Sequence, residues 1–357
     1  MFCKTKIYID RDSLEIIAQD STIADNYYKN VIEIFRRCAE VYIDLSDEEL
    51  NEIKEPEDLN DTNDIFAFIE TRNLPWPIAA KEHFDFFRED SSKVKVEGNI
   101  VYILNISKDD SERIRQSLGV WMLSVNEMSD DVFRYVFNKH LNVKEIPGPS
   151  TNGWCNLLKD EVPLLPPSNS FVLSDSNLLA NDVLDENKAK HYRGLENVKD
   201  LLSVILPQSM SIPFYILILC PGRSDQVGKM KKIISKWVEE VKGCRSYPII
   251  IEFLTTSKTL HARDLYANNY RIELDRGFYV FEPWSNKVHT DDMSFNKVDI
   301  KSYLSSPFDR GDSVLDIANT ELVKIRTKYM KFISQTGDPI SQYPISEEFY
   351  SKNRILF

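Results

Sequence analysis

No uninterrupted apolar run of about 18 residues or more occurs in this sequence, so it offers no membrane-spanning segment. The opening stretch, MFCKTKIYIDRDSLEI, carries Asp10, Asp12 and Glu15 where a signal peptide needs an apolar core, and the expected location is the cytoplasm. Cys-x-x-Cys spacing is missing as well. The five cysteines, Cys3, Cys38, Cys155, Cys220 and Cys244, are odd in number and widely dispersed, which argues against a disulfide framework and a thiolate zinc site. Positive charge is in short supply. The net charge of −12 is unfavourable for nonspecific binding of nucleic acid, although a local basic groove remains compatible with it. Neither a fixed-period repeat nor a low-complexity tract occurs. A phosphate-binding P-loop is missing too. Gly222-Arg-Ser-Asp-Gln-Val-Gly228-Lys229-Met230 has five residues between its glycines instead of four, and Met230 stands where a hydroxyl must hold the metal. No G-x-S-x-G nucleophile elbow is found.

What is present describes a globular chain. Its length of 357 residues suggests two domains, and a hydrophobic fraction of 42% can furnish each with a core. Residues 1–146 read as a Rossmann-like α/β domain. Lys6-Ile-Tyr-Ile-Asp10, Glu40-Val-Tyr-Ile-Asp44, Ile100-Val-Tyr-Ile-Leu-Asn105 and Val120-Trp-Met-Leu-Ser-Val125 are strand patterns separated by helical ones. Tyr27, Val31, Ile34, Phe35 and Cys38 recur at helical spacing. Ser107 can cap the helix that Gly119 ends. The acidic run from Asp44 through Glu49 and on to Asp64 reads as an irregular, solvated surface.

Turn formers in Ile146-Pro-Gly-Pro-Ser-Thr-Asn-Gly153, with Val162-Pro-Leu-Leu-Pro-Pro-Ser168, mark residues 147–168 as a proline-rich linker. Residues 169–357 form a second α/β domain. Ser170–Ser174 is a strand with Asp175 beyond it, Leu195 to Ile205 a helix, and Pro213–Cys220 a central strand. A helix from Val227 to Val241 and a strand from Tyr247 to Leu254 follow, then a strand pair and a helical tail with Leu322, Ile325 and Met330. In the first domain alternating strands and helices predict a mainly parallel sheet covered on both faces, and the expectation for the chain is two three-layer α/β domains.

Chemistry concentrates in LHARDLYANNYRIELDRGFYVF, Leu260 to Phe281. His261 and Arg263 are two apart on a strand and project to one face. An imidazole beside a guanidinium suits phosphate, because Arg supplies a fixed fork of donors and His can act as nucleophile or proton carrier. Asn268 and Asp264 are placed to orient that pair, and Gly277 permits a close backbone approach. The remaining histidines, His83, His140, His191 and His289, have no partners that suggest metal ligation or a triad. In the first domain Asp10, Asp12, Asp44 and Asp109 follow strands. Ligands of open α/β sheets bind there, so these acids can gather around Mg²⁺ as in PIN-like nucleases.

His261-Ala-Arg263, four residues, then Asn268 resembles the H-x-K…Asp signature of phospholipase D-like phosphodiesterases, with Arg for Lys and Asn for Asp. A closer resemblance is to the phospholipase D-like C-terminal domain that follows the MIT domain of trafficking proteins. There a His-x-Arg strand precedes a hydrophobic return strand with an Arg-Gly pair, like Arg276-Gly277-Phe278. It covers about residues 169–281, and no MIT helical bundle is recognisable.

That resemblance implies a phospholipase D-like second domain and a noncatalytic binding module. The enzymes pair two motifs across a two-fold, so with one motif an active site here needs a homodimer. Asn268 cannot charge-stabilise an imidazole as a carboxylate does. The expectation is an accessory or interaction protein, of a microbial defence or nucleic-acid-processing system, with a degenerate phosphate site formed by His261, Arg263, Asp264 and Asn268. A protein partner is expected, nucleic acid is allowed, and no cofactor is called for. The alternative is a phosphodiesterase or nuclease, with His261, Arg263 and Asn268 catalytic in a homodimer or the first domain's acids holding Mg²⁺. A membrane-surface module is disfavoured by the charge of −12.

Overall fold

A computed structural model describes residues 5–20, 32, 35–36, 39–55, 63–90, 94–127, 140–143, 153–158, 165–176, 178–179, 193–221, 227–256, 263–274, 277–278, 298–303, 314–334 and 353–356. The chain forms two compact α/β units, each built on its own sheet. Among the described residues no helix is long and apolar enough to cross a membrane.

The first unit comprises β1 (Thr5–Ile9), α1 (Arg11–Asp20), β2 (Ala39–Ile43), α2 (Asp47–Lys54), α3 (Asp64–Arg72), β3 (Ile78–Ala79), α4 (Lys81–Glu89), β4 (Ile100–Leu104), α5 (Lys108–Leu118) and β5 (Trp121–Ser124). Its strands are all parallel, in the order β3-β2-β1-β4-β5. Alternation along each strand decides what each face holds. Ile7, Ile9, Val41, Ile43, Val101 and Ile103 pack against α1, α2 and α3. Tyr8, Tyr42 and Tyr102 are register partners on the opposite face, where His83, Phe84 and Phe87 of α4 meet them.

Ser107 caps α5, and Gly119 closes it at φ 62. The acidic run reads differently in the structure. Ser46 and Glu49 form a reciprocal capping box, so Asp47–Lys54 is a helix that buries Leu50 and Ile53. Ser-x-x-Glu announces that helix start, and the density of acids hides it. Of the helical pattern from Tyr27 to Cys38, Tyr27, Val31, Ile34 and Cys38 lie outside the described residues. Phe35 is buried in the first core.

The second unit holds β6 (His140–Val143), α6 (Gly153–Leu158), β7 (Ser170–Asp175), α7 (Arg193–Ile205), β8 (Phe214–Pro221), α8 (Val227–Lys242), β9 (Ile249–Thr256), β10 (Arg263–Ala267), β11 (Tyr270–Leu274), β12 (Val298–Ser302) and α9 (Val314–Ser334). Its sheet runs β6-β12-β11-β10-β7-β8-β9, parallel through β7, β8 and β9 and antiparallel beyond. His140–Val143, which precedes the turn-former cluster, thus belongs to the second sheet. The segment 147–168 contributes α6, whose Trp154 and Leu158 enter the second core. One sheet face, with Phe171, Leu173, Ile216, Ile218, Phe253 and Leu265, packs on α6, α7 and α8. The other, with Val172, Leu217, Leu219, Leu254 and Tyr266, packs on Ala318, Leu322, Ile325 and Tyr329 of α9. Met330 points outward.

Candidate functional site

Strand β10 determines where each candidate side chain goes. It runs antiparallel to β7, so Arg263 stands opposite Asp175 and Ala267 opposite Phe171. Arg263 therefore lies at the carboxyl ends of β7, β8 and β9, the edge where open α/β sheets bind ligands. Directly opposed residues share a face, which puts Arg263 and Asp175 on the side of α7 and α8. Arg263 is half-buried and Asp175 wholly buried.

Asp175 is anchored from a distant part of the chain. Its Oδ2 accepts the amide of Phe278 at 2.9 Å. Gly277, at φ +104, lies against the same carboxylate, where a Cβ would come within 2.9 Å of Oδ2. Here glycine is required both by the left-handed backbone and by the close approach. Cys220 shares this environment, and burial, then the Asp175 charge, push its thiol well above the ordinary range. His261 lies outside the described residues.

Asp264 and Asn268 are used elsewhere. Asp264 falls on the other sheet face because strand neighbours alternate. Its Oδ1 accepts from Arg271 at 2.8 and 3.1 Å, and its Oδ2 accepts from the Tyr266 hydroxyl at 2.9 Å. Burial raises the Asp264 carboxyl above its ordinary value, against the lowering by Arg271. Arg271 also reaches Glu273, which Lys301 meets in turn, and Lys301 extends to Asp299. These charges form a cross-strand ladder over β10, β11 and β12.

Asn268 sits in the two-residue turn between β10 and β11, where the hairpin closes. Its Oδ1 accepts the amides of Asn169 and Ser170, both at 3.0 Å. It stands five residue steps along the strand from Arg263, about 17 Å at ~3.4 Å per residue. The spacing thus brings Arg263 together with Asp175, Gly277 and Phe278, and sends Asp264 and Asn268 to structural tasks. Asp175 is the residue that the motif alone does not reveal. Its one sequence signal is an acid just beyond the strand Ser170–Ser174.

Two of the first unit's four candidate acids are committed. At the point where strand order reverses, between β1 and β4, Asp10 accepts the amides of Ser13 at 2.9 Å and Asn105 at 2.7 Å. Asp44 pairs with Arg88; burial raises its carboxyl despite that partner. Asp12 and Asp109 lie exposed in the first turns of α1 and α5. Among the described residues no three His, Cys, Asp or Glu side chains are grouped to hold a metal.

Neither a family model nor any curated protein matches this chain.

Proposed function

We propose that the second unit is a phospholipase D-like phosphate-recognition module that binds without cleaving, and that the protein is an accessory or interaction protein. One observation carries this reading: Arg263 stands opposite the buried Asp175 at the carboxyl ends of β7 to β9, while Asp264 and Asn268 are turned away from it. A guanidinium at that edge can hold a phosphate through paired N–H donors. A histidine nucleophile needs a neighbouring group to orient it and stabilise its charge. The two residues that the motif supplies for that work lie elsewhere.

The test uses labelled single- and double-stranded DNA and RNA, in Mg²⁺ and in EDTA. Wild type, His261→Ala and Arg263→Ala are compared for binding and for cleavage. Expected are binding without cleavage and loss of binding in Arg263→Ala. Cleavage in EDTA that vanishes in His261→Ala overturns the reading in favour of a dimeric phosphodiesterase. Cleavage that needs Mg²⁺ and survives that change moves the chemistry to the acids of the first unit.

A further inference from the structure

The segment Asn353–Leu356 is seated in the second unit as a short peptide ligand would be. It pairs with no strand. Its hold is instead a set of specific contacts at the amino ends of β7 and β8, opposite the edge that carries Arg263. Asn353 Nδ2 donates to the carbonyl of Phe171 at 2.8 Å, and the Arg354 amide donates to Ser170 Oγ at 3.2 Å. Arg354 Nη1 donates to the carbonyls of Pro213 at 2.9 Å and Asn169 at 3.5 Å. The same guanidinium lies over the Tyr215 ring, 4.7 Å from its centroid.

Two apolar anchors complete the fit. Ile355 and Leu356 are buried among side chains of β7, β8 and α9. The segment also shapes itself: the Ile355 amide donates to Asn353 Oδ1, and the Leu356 amide donates to the Asn353 carbonyl. Such a preformed turn loses little freedom on docking, and side chain-to-backbone contacts with an adjoining apolar pocket are how short motifs are read. Residues 335–352, which join it to α9, lie outside the described residues.

We propose that this groove is a linear-motif site for peptides presenting Asn-Arg followed by two aliphatic residues, and that Asn353–Leu356 occupies it in cis. The proposal does not rest on the phosphate reading. A tethered occupant competes at high effective concentration, so an external peptide enters only when the contacts of Asn353–Leu356 are weakened.

The probe is the labelled peptide Ser-Lys-Asn-Arg-Ile-Leu-Phe, read by fluorescence anisotropy on the full chain. Asn353→Ala with Arg354→Ala is expected to bind it at least about tenfold more tightly than wild type. A peptide with Ala at both polar positions is expected not to bind. Equal uptake by variant and wild type, or equal uptake of the altered peptide, overturns the proposal. If circular dichroism shows the double variant unfolded, Leu356→Ala takes its place. It keeps the polar contacts, and the same two outcomes decide.

Discussion

Gly277 lies so close to Asp175 that a side-chain carbon at position 277 would stand 2.9 Å from Oδ2 and 3.0 Å from Oδ1 of the carboxylate. The contact joins a segment beyond β11 to the end of β7, 102 residues earlier, with the Phe278 amide bonded to the same oxygen. The first prediction follows from it. Gly277→Ala meets both an unfavourable φ of +104 and a buried carboxylate, and is expected to lose about 1–3 kcal/mol. Urea unfolding measures it, and an unchanged midpoint would refute the contact's importance.

Asn268 allows stability and catalysis to be separated. Asn268→Ala leaves the Asn169 and Ser170 amides without their acceptor, at a cost of about 1–3 kcal/mol. Asn268→Asp keeps an oxygen for both amides and supplies the carboxylate of the phosphodiesterase motif. Stability near wild type and no gain of cleavage are expected, because the turn lies at the far end of the strand from Arg263. Phosphodiesterase activity in Asn268→Asp would contradict that geometry.

The charge ladder makes a third prediction. Arg271→Met strands the buried Asp264 carboxylate and is expected to cost about 3–5 kcal/mol near neutral pH. Asp264 already has a folded-state pKa raised by burial, and removing Arg271 takes away a lowering influence. The folded state then binds a proton more readily than the unfolded chain, so stability falls as pH rises through the carboxyl range. The penalty should therefore be smaller at about pH 4 than at about pH 7. Denaturation of both proteins across that span tests it; a penalty that grows on acidification would count against the assignment.

His83 sets an acid limit for the first unit. Burial, and then the Lys95 charge, lower its pKa to about 4. Tyr102 Oη accepts the Lys95 amide at 2.9 Å, which leaves its hydrogen for the neutral His83 Nε2 at 3.0 Å. Between about 4 and the ordinary value near 6.5 the unfolded chain holds the extra proton. Stability thus rises with pH through this window and is lost as pH falls through it. His83→Gln, which retains an acceptor, is expected to flatten that slope. Melting temperatures between about pH 4 and pH 7 measure it, and an identical slope in the variant would exclude His83 as its source.

Much of the fold is legible in local patterns. The strands around Tyr8, Tyr42 and Tyr102 announce themselves by apolar alternation, and Ser107 and Gly119 mark the ends of α5, because strand periodicity and helix caps depend on residues near in sequence. The capping box at Ser46 and Glu49 is legible by the same rule, yet it is masked by the acids around it.

The site was legible only in part. Sequence alone determined that Arg263 lies on a strand with Asn268 five residues on, and that Gly277 can admit a close backbone approach. Only the tertiary structure decided that Arg263 faces Asp175 and that Asn268 binds the start of β7, since register is a choice among strands far apart in the chain. It also decided that Asp264 pairs with Arg271 across a hairpin and that Asn353–Leu356 docks beside Ser170 and Phe171. Such partners are selected by simultaneous burial and hydrogen-bond satisfaction over the whole sheet, which no local spacing encodes.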